Sequence, residues 1–303
     1  MPTAVLIVNY RTYSDLSRCL ASLAPHLGAG DEIVIVDYES DIVSLNAAIE
    51  QIGPSPLVAW GPTATSATTA NHPVRVVAVP RADNLGFAAG VNLAAARADA
   101  PYLLLLNPDA VFEGPVSHVL ETWLTDHPDV GVAGPRVLNG DGTIQATARR
   151  FPDLTTWFGG RSTWLTRQFP GNWFSSRNLV GRDATMPIDV DWLSGACLVT
   201  RRELFRHLGG FDERFFMYWE DADYCYRVAR AGYRRVYVPL TSVRHVGGQA
   251  AEHEPAMAIR AFHRSAYRMF RKHASGWGRL AGPLVRVGLW LRGEWRVRRA
   301  AAK

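Results

Sequence analysis

Two kinds of hydrophobic spacing alternate through the first 110 residues. Unbroken runs rich in Val, Leu and Ile stand at residues 3–10, 32–37, 74–80 and 102–109, as strands buried on both faces require. Between them apolar positions recur every three or four residues. Leu16, Leu20, Leu23 and Leu27 fall on one helical face with Ser14 as N-cap, and helical patterns follow at 42–51 and 87–98. Strand alternating with helix predicts an α/β fold around a doubly wound, mostly parallel sheet, in which ligands bind at the carboxyl ends of the strands. Asn9, Asp37, Asn84 and Asp109 lie at or just past such ends, so the pattern predicts that they converge. Residues 53–73, rich in Pro, Ser, Thr and Ala without period, read as a surface loop before the third strand.

Beyond residue 137 the pattern shortens into small strands and turns, and Asn139-Gly140-Asp141-Gly142 is a strong hairpin signal. Residues 151–187 are aromatic and irregular, with Trp157, Trp164 and Trp173. Two readings of them stay open, a mobile segment or a substrate contact. A helix is predicted from near Glu220 to Gly232, and another over 255–273 with Ile259, Phe262, Ala266 and Met269 on one side. Gly282-Pro283 then opens a last helix in which Leu284, Val287, Leu291 and Trp295 share a face. Trp277 and Leu280 extend that side. Arg279, Arg286, Arg292, Arg296 and Arg299 lie mostly off it, Leu289 falls among them, and Arg298 lies near the apolar face. There is no internal repeat.

The 303 residues leave room for one large domain or two small ones, and 48% hydrophobic with 20% charged residues is a globular composition. The net charge of +5 is a property of the tail. Residues 271–303 carry nine Lys/Arg and one acid, a net +8 that leaves the first 270 residues at −3. A nucleic-acid-binding body is therefore not indicated. Cys19, Cys197 and Cys225 form no CxxC pair and suit a reduced, cytoplasmic protein. The opening MPTAVLIVNY reads as a buried strand and not a signal peptide, and no stretch nears the roughly 20 apolar residues of a membrane-spanning helix.

Several positions carry candidate chemistry. Asp109, closing Asn107-Pro108-Asp109 at the end of a buried strand, can ligate a hard cation that bridges a diphosphate; the same triplet is also good turn chemistry. Asp37 can accept the N3–H of a uracil or thymine ring, or simply cap a turn. Asn84-Leu85-Gly86-Phe87, with Gly90 and Asn92 beyond, has glycines that allow close backbone approach and a helix start that favours an anion. Residues 211–232 set five acids, Asp212, Glu213, Glu220, Asp221 and Asp223, among Phe215, Phe216, Met217, Tyr218 and Trp219. Acids in a first helical turn complement the helix dipole, yet carboxylates beside aromatic rings also gain the proton affinity of a general base. His245, if near Asp109 in space, completes a metal site.

Taken in order, VLIVNYRTYSDLSRCLASL, VIVD, DNLGFAAGVNLA, LLLLNPDA, the long DWLSGACLVTRRELFRHLGGFDERFFMYWEDADYCYRVARAGY and VRHVGG resemble the inverting GT-A-fold glycosyltransferases of family 2. They are most similar to bacterial rhamnosyltransferase-type members that build cell-wall linkers and surface polysaccharides. The resemblance spans about residues 3–273 and implies a nucleotide-sugar half (1–110), an acceptor and catalytic half (111–273) and a separate basic segment (274–303). It implies that Asn9, Tyr10 and Asp37 hold the base and ribose, that Asn84 and Asn92 frame the nucleotide, and that Asn107 replaces one carboxylate of the family's Asp-any-Asp motif. Asp109 and His245 are then the metal ligands, with Mg²⁺ or Mn²⁺ as cofactor. Trp192, Ser194 and Gly195, with Asp223, line the sugar and acceptor pocket, and Asp221 is the base, supported by Glu220. One departure is clear: Asp37-Tyr38-Glu39-Ser40 stands where the family has Asp-Asn-any-Ser.

The implied reaction is single displacement at the anomeric carbon of a sugar diphosphate, needing one base and no enzyme nucleophile. The implied donor is dTDP-rhamnose, with a UDP-sugar as runner-up, and the acceptor is a glycan or a lipid-linked glycan. A nucleotidyltransferase would carry a glycine-rich N-terminal loop, and Asn9-Tyr10-Arg11 has no glycine. A non-catalytic relative would not need Asp109, Asp221 and His245 together. The basic tail, residues 276–303, reads either as a helix docked on the domain or as an interfacial helix on an anionic membrane, on the inner face of the cytoplasmic membrane.

Overall fold

The computed structural model describes residues 1–53, 57–60, 74–151, 180, 184–247 and 254–301. Its elements run β1 (Thr3–Asn9), α1 (Tyr13–Leu23), β2 (Glu32–Asp37), α2 (Ile42–Ile49), β3 (Leu57–Trp60), β4 (Arg75–Pro80), α3 (Phe87–Ala95), β5 (Tyr102–Leu106), β6 (Ala110–Phe112) and α4 (Val116–Asp126). Then come β7 (Val130–Leu138), β8 (Ala148–Arg149), β9 (Ile188–Asp189), β10 (Trp192–Leu193), β11 (Cys197–Arg201), α5 (Arg202–His207), α6 (Glu220–Arg230), β12 (Arg234–His245), α7 (Pro255–His273) and α8 (Gly282–Ala301).

One large sheet has the order β3-β4-β2-β1-β5-β11-β7-β12-β6. The β3-to-β5 part is all parallel, as the alternating pattern predicts. Past β5 the sheet is mixed: β11 is antiparallel to β5 and β7, β12 parallel to β7, and β6 antiparallel to β12. The period of two along β1 sends Ala4, Leu6 and Val8 to one face and Val5 and Ile7 to the other. Helices α1, α2 and α4 cover the Val5 face, while α3, α5, α6 and α7 cover the Leu6 face. The result is a three-layer α/β sandwich whose central strands are buried on both sides.

Some expectations change. Ser14 lies inside α1; Thr12 is the N-cap residue, makes no side-chain cap and donates its hydroxyl to Asn9 Oδ1 at 2.7 Å. Leu57–Trp60, placed in a loop by composition, is an edge strand parallel to β4, and the rest of 54–73 lies outside the described residues. So do Trp157, Trp164, Trp173 and most of 151–187. The Asn139–Gly142 turn forms as its sequence predicts, with Gly142 at φ +81° and its N–H on the Asn139 carbonyl at 2.9 Å. Among the described residues no helix is long and apolar enough to cross a membrane.

Helices α6 and α7 are joined by a buried charge cluster. Asp223 is fully buried and takes Arg227 at 2.9 Å, Lys272 at 2.7 Å and His273 at 2.7 Å. Burial alone would raise its proton affinity, but hydrogen bonds from His273 and Lys272 and the charge of Arg227 outweigh that and hold it below the ordinary value. A depressed carboxyl contributes stability above its unfolded value of about 4 and loses it as pH falls through the folded one. Asp223→Asn is therefore expected to cost about 3–5 kcal/mol at pH 7, the effect of breaking a buried pair. The gap between its melting temperature and the wild type's is expected to narrow below pH ~4. Thermal melts across pH check this; a gap that does not change with pH contradicts the assignment.

Candidate active site

A cavity of about 440 Å³ opens at the carboxyl ends of β1 and β5. Its lining includes Tyr10, Thr12 and Asn84, the Asn107, Asp109 and His245 group, Arg149, Trp192 and the Glu220–Asp221 pair, and Met257 and Phe262 of α7.

The carboxylates reach the cavity through an unusual turn. Tyr218 (φ 66°) and Trp219 (φ 72°) are both left-handed, a conformation that costs non-glycine residues energy and persists only where packing imposes it. The packing is visible on both sides. The Phe216 carbonyl accepts the Phe87 N–H at 2.7 Å, and the Met217 carbonyl accepts the Ser265 hydroxyl at 2.9 Å. The Tyr218 and Trp219 rings lie 5.6 and 5.8 Å from Phe262. A Cβ on Gly86 (φ +93°) would collide with the Phe216 carbonyl, so glycine is required there.

Helix α6 begins at that turn. Asp221 accepts the Gly195 N–H at 2.9 Å on Oδ2 and the Ala222 N–H at 2.7 Å on Oδ1. Glu220 is buried, and its Oε2 has no hydrogen-bond partner among the described residues. Burial raises the proton affinity of both. For Glu220 the neighbouring Asp221 charge raises it further, whereas two backbone N–H groups and Arg149 restrain the rise at Asp221. Both carboxyls are thus shifted toward the protonated form, Glu220 more strongly than Asp221.

In the same cavity, the turn after β5 and the end of β12 bring Asp109 and His245 together. His245 Nε2 stands 3.1 Å from Asp109 Oδ1 and 3.2 Å from the Asn107 amide nitrogen. Asp109 Oδ2 accepts the Gly247 N–H at 3.1 Å, and His245 Nδ1 faces Gln145 Oε1 at 2.9 Å. Among the described residues no third His, Cys, Asp or Glu joins the pair.

Of the residues singled out from sequence, Tyr10, Asn84, Asn107, Asp109, Trp192, Ser194, Gly195, Glu220, Asp221 and His245 line the cavity. Asn84 shapes its loop by accepting the Gly86 N–H at 2.9 Å. Four others do not line it. Asp37 is fully buried and already accepts from Asn9 (2.7 Å), the Tyr13 hydroxyl (2.9 Å) and the Ser40 N–H (2.9 Å). Asn9 is spent on Asp37 and Thr12. Asn92 pairs with both the N–H (2.8 Å) and the carbonyl (2.9 Å) of Phe211, tying α3 to the loop before the carboxylates. Asp223 belongs to the ion cluster between α6 and α7. The structure adds Tyr38, whose hydroxyl donates to the Gly86 carbonyl at 2.9 Å, and Arg149, whose guanidinium sits 4.9 Å over the Trp192 ring. Tyr38 was visible only as the departure from Asp-Asn-any-Ser. Arg149 stands in a stretch without period, which carries no signal.

The profile of the family described as "Glycosyltransferase like family 2" matches residues 1–272. The chain is 32% identical to the N-acetylglucosaminyl-diphospho-decaprenol L-rhamnosyltransferase of Mycobacterium tuberculosis, over 97% of this chain and 92% of that protein. Among solved structures it is similar to the mannosyltransferase PcManGT of Pyrobaculum calidifontis in complex with GDP-Man and Mn²⁺ (TM-score 0.56, 16% identity, 99% of this chain and 73% of that one). It is also similar to GalNAc-T7 with UDP, GalNAc and Mn²⁺ (TM-score 0.55, 18% identity, 81% and 44%). At such identities the structural similarity speaks for the fold, which is GT-A.

Proposed function

The chain belongs to glycosyltransferase family 2, and on that premise we propose that it moves L-rhamnose from dTDP-rhamnose to a hydroxyl of a polyprenyl-diphosphate-linked glycan, with inversion. The observation that carries this reading is the presence of two polar centres in one cavity, the Glu220–Asp221 carboxyl pair and the Asp109–His245 pair. The sugar and the acceptor class follow the mycobacterial relative's name, and dTDP as the carrier follows the sequence resemblance. Residues 1–110 serve as the nucleotide-sugar half and 111–273 as the acceptor half.

In this mechanism Asp221 accepts the proton of the acceptor hydroxyl, whose oxygen forms the new bond at the anomeric carbon. The bond to the diphosphate breaks on the opposite face, and the electron pair leaves with the diphosphate. Glu220, whose Oε2 has no hydrogen-bond partner among the described residues, hydrogen-bonds the acceptor. Asp109 and His245 would hold a Mg²⁺ or Mn²⁺ ion, for which a carboxylate oxygen and an imidazole nitrogen 3.1 Å apart are a fitting donor pair. When bound, the ion supplies positive charge beside the diphosphate oxygens. Tyr10, fixed by its hydroxyl on Glu254 at 2.8 Å, flanks the nucleobase.

The acceptor class implies a membrane, and α8 has the surface for one. It is docked on α7 through Val285, through Gly293 against the His263 ring, and through a two-bond pair of Arg260 with Glu294 at 2.9 and 3.1 Å. Leu289, which periodicity put on the polar side, is half-buried on this docked side. Leu280, Leu284, Val287, Trp290, Leu291 and Trp295 are 53–75% exposed. Arg286, Arg296 and Arg299 are exposed beside them. The Trp277 side chain lies outside the described residues. Exposed tryptophan and leucine flanked by arginine suit the headgroup level of an anionic leaflet. We place the protein on the cytoplasmic face.

Two outcomes are expected. Asp221→Asn should keep donor affinity and lose about 10²–10⁴-fold in transfer rate. In the wild type, kcat/KM should fall on acidification through a pKa above that of an ordinary aspartate, because the base must be ionised. Near-normal turnover by Asp221→Asn with a dead Glu220→Gln would move the base to Glu220. In sedimentation with phosphatidylglycerol vesicles, the protein should pellet at low salt and be released at high salt. Leu284→Glu with Leu291→Glu should abolish pelleting and spare activity on a short soluble acceptor. Vesicle binding equal to wild type by that double variant would remove α8 as the membrane face.

A further inference from the structure

His245 is held by a relay that starts outside the cavity. Asn139, in the turn after β7, accepts the Gln145 Nε2 on its Oδ1 at 3.0 Å. The same Gln145 nitrogen lies 3.5 Å from the His245 carbonyl. With its donor end committed to these two oxygens, Gln145 turns its Oε1 to His245 Nδ1 at 2.9 Å. An amide oxygen can only accept, so Nδ1 carries the proton. A neutral imidazole then has its lone pair on Nε2, and Nε2 points at Asp109 Oδ1 from 3.1 Å. The Asn107 amide nitrogen, 3.2 Å from the same Nε2, can donate to that lone pair, and Nε2 and the carboxylate oxygen are otherwise two acceptors that a cation would hold together. Gly247 (φ +76°) wraps the backbone around the ring, where a Cβ would sit 3.4 Å from Cε1, and sends its N–H to Asp109.

We propose that Gln145, oriented by Asn139, is the positioning residue that fixes the tautomer and aim of His245 for divalent-cation binding beside the diphosphate. This rests on the reading of Asp109 and His245 as the cation site. Metal-bound histidines commonly donate their second ring N–H to such a partner, and loss of that partner weakens metal affinity by about 10–100-fold.

The test has a metal-free arm and a metal arm. In the metal-free protein with ¹⁵N-labelled histidine, His245, identified by its loss in His245→Ala, is expected as the Nδ1–H tautomer in the wild type. In Gln145→Ala it is expected as a mixture. In electron paramagnetic resonance titrations with Mn²⁺ and dTDP, Gln145→Ala is expected to bind Mn²⁺ about 10–100-fold more weakly. Thermal melts of Gln145→Ala should be unchanged because the side chain is half-buried. An Nε2–H tautomer in the wild type overturns the proposal. So does wild-type Mn²⁺ affinity in Gln145→Ala, or a wild-type imidazole spectrum in that variant. A wild type that binds no Mn²⁺ with dTDP overturns the cation reading itself, and the imidazole spectrum separates that failure from one in the relay.

Discussion

The two left-handed residues Tyr218 and Trp219 are the constraint on which the site depends. Each costs on the order of 1–3 kcal/mol against an ordinary backbone, so the turn exists only because its surroundings insist on it. They do so from two directions, the α3 loop at Gly86–Phe87 and helix α7 at Phe262 and Ser265. The Gly86–Phe87 loop and helix α7, both of which line the cavity, thereby hold the turn that carries Glu220 and Asp221.

Charge is placed as economically as backbone strain. The cavity holds two buried acids that cannot both ionise easily. Backbone N–H groups from Gly195 and Ala222 favour the ionised form of Asp221 over that of Glu220. Asp109 and His245 form a second polar centre in the same cavity. In the proposed reaction the acceptor that loses its proton and the diphosphate that departs would each meet a separate centre. The docked α8 adds a third feature of a different kind, an outward apolar stripe set beside arginines.

How much of this could be read from residues alone depended on what each inference needed. Strands such as residues 32–37 and 102–106 are continuous apolar runs, and their burial on both faces followed from that. The carboxylate helix was legible because acids cluster after an aromatic run. Distance was not legible: nothing in the spacing of Asp109 and His245 says that they meet at 3.1 Å, and there family resemblance did the locating. Asp37, Asn92 and Asp223 stay off the cavity lining for a shared reason: their side chains pair with Tyr13, Phe211 and Lys272 or their neighbours. A sequence shows a carboxylate but not whether its lone pairs are spent. In α8 the apolar stripe was legible; which side docks on the domain was not, because that contact is made by small residues such as Gly293 and not by the leucines.

The central claim is that the cavity performs one displacement, with a base on one side of the sugar and the diphosphate leaving from the other. The anomeric configuration of the product tests it most directly. The protein is incubated with Mn²⁺, an acceptor and dTDP-rhamnose, or the sugar nucleotide that a panel shows to be consumed. The one-bond carbon–proton coupling at the anomeric centre is then measured by NMR in donor and product. The account predicts the configuration opposite to that of the donor. A product with the donor's own configuration would mean two displacements or front-face attack, and would contradict it.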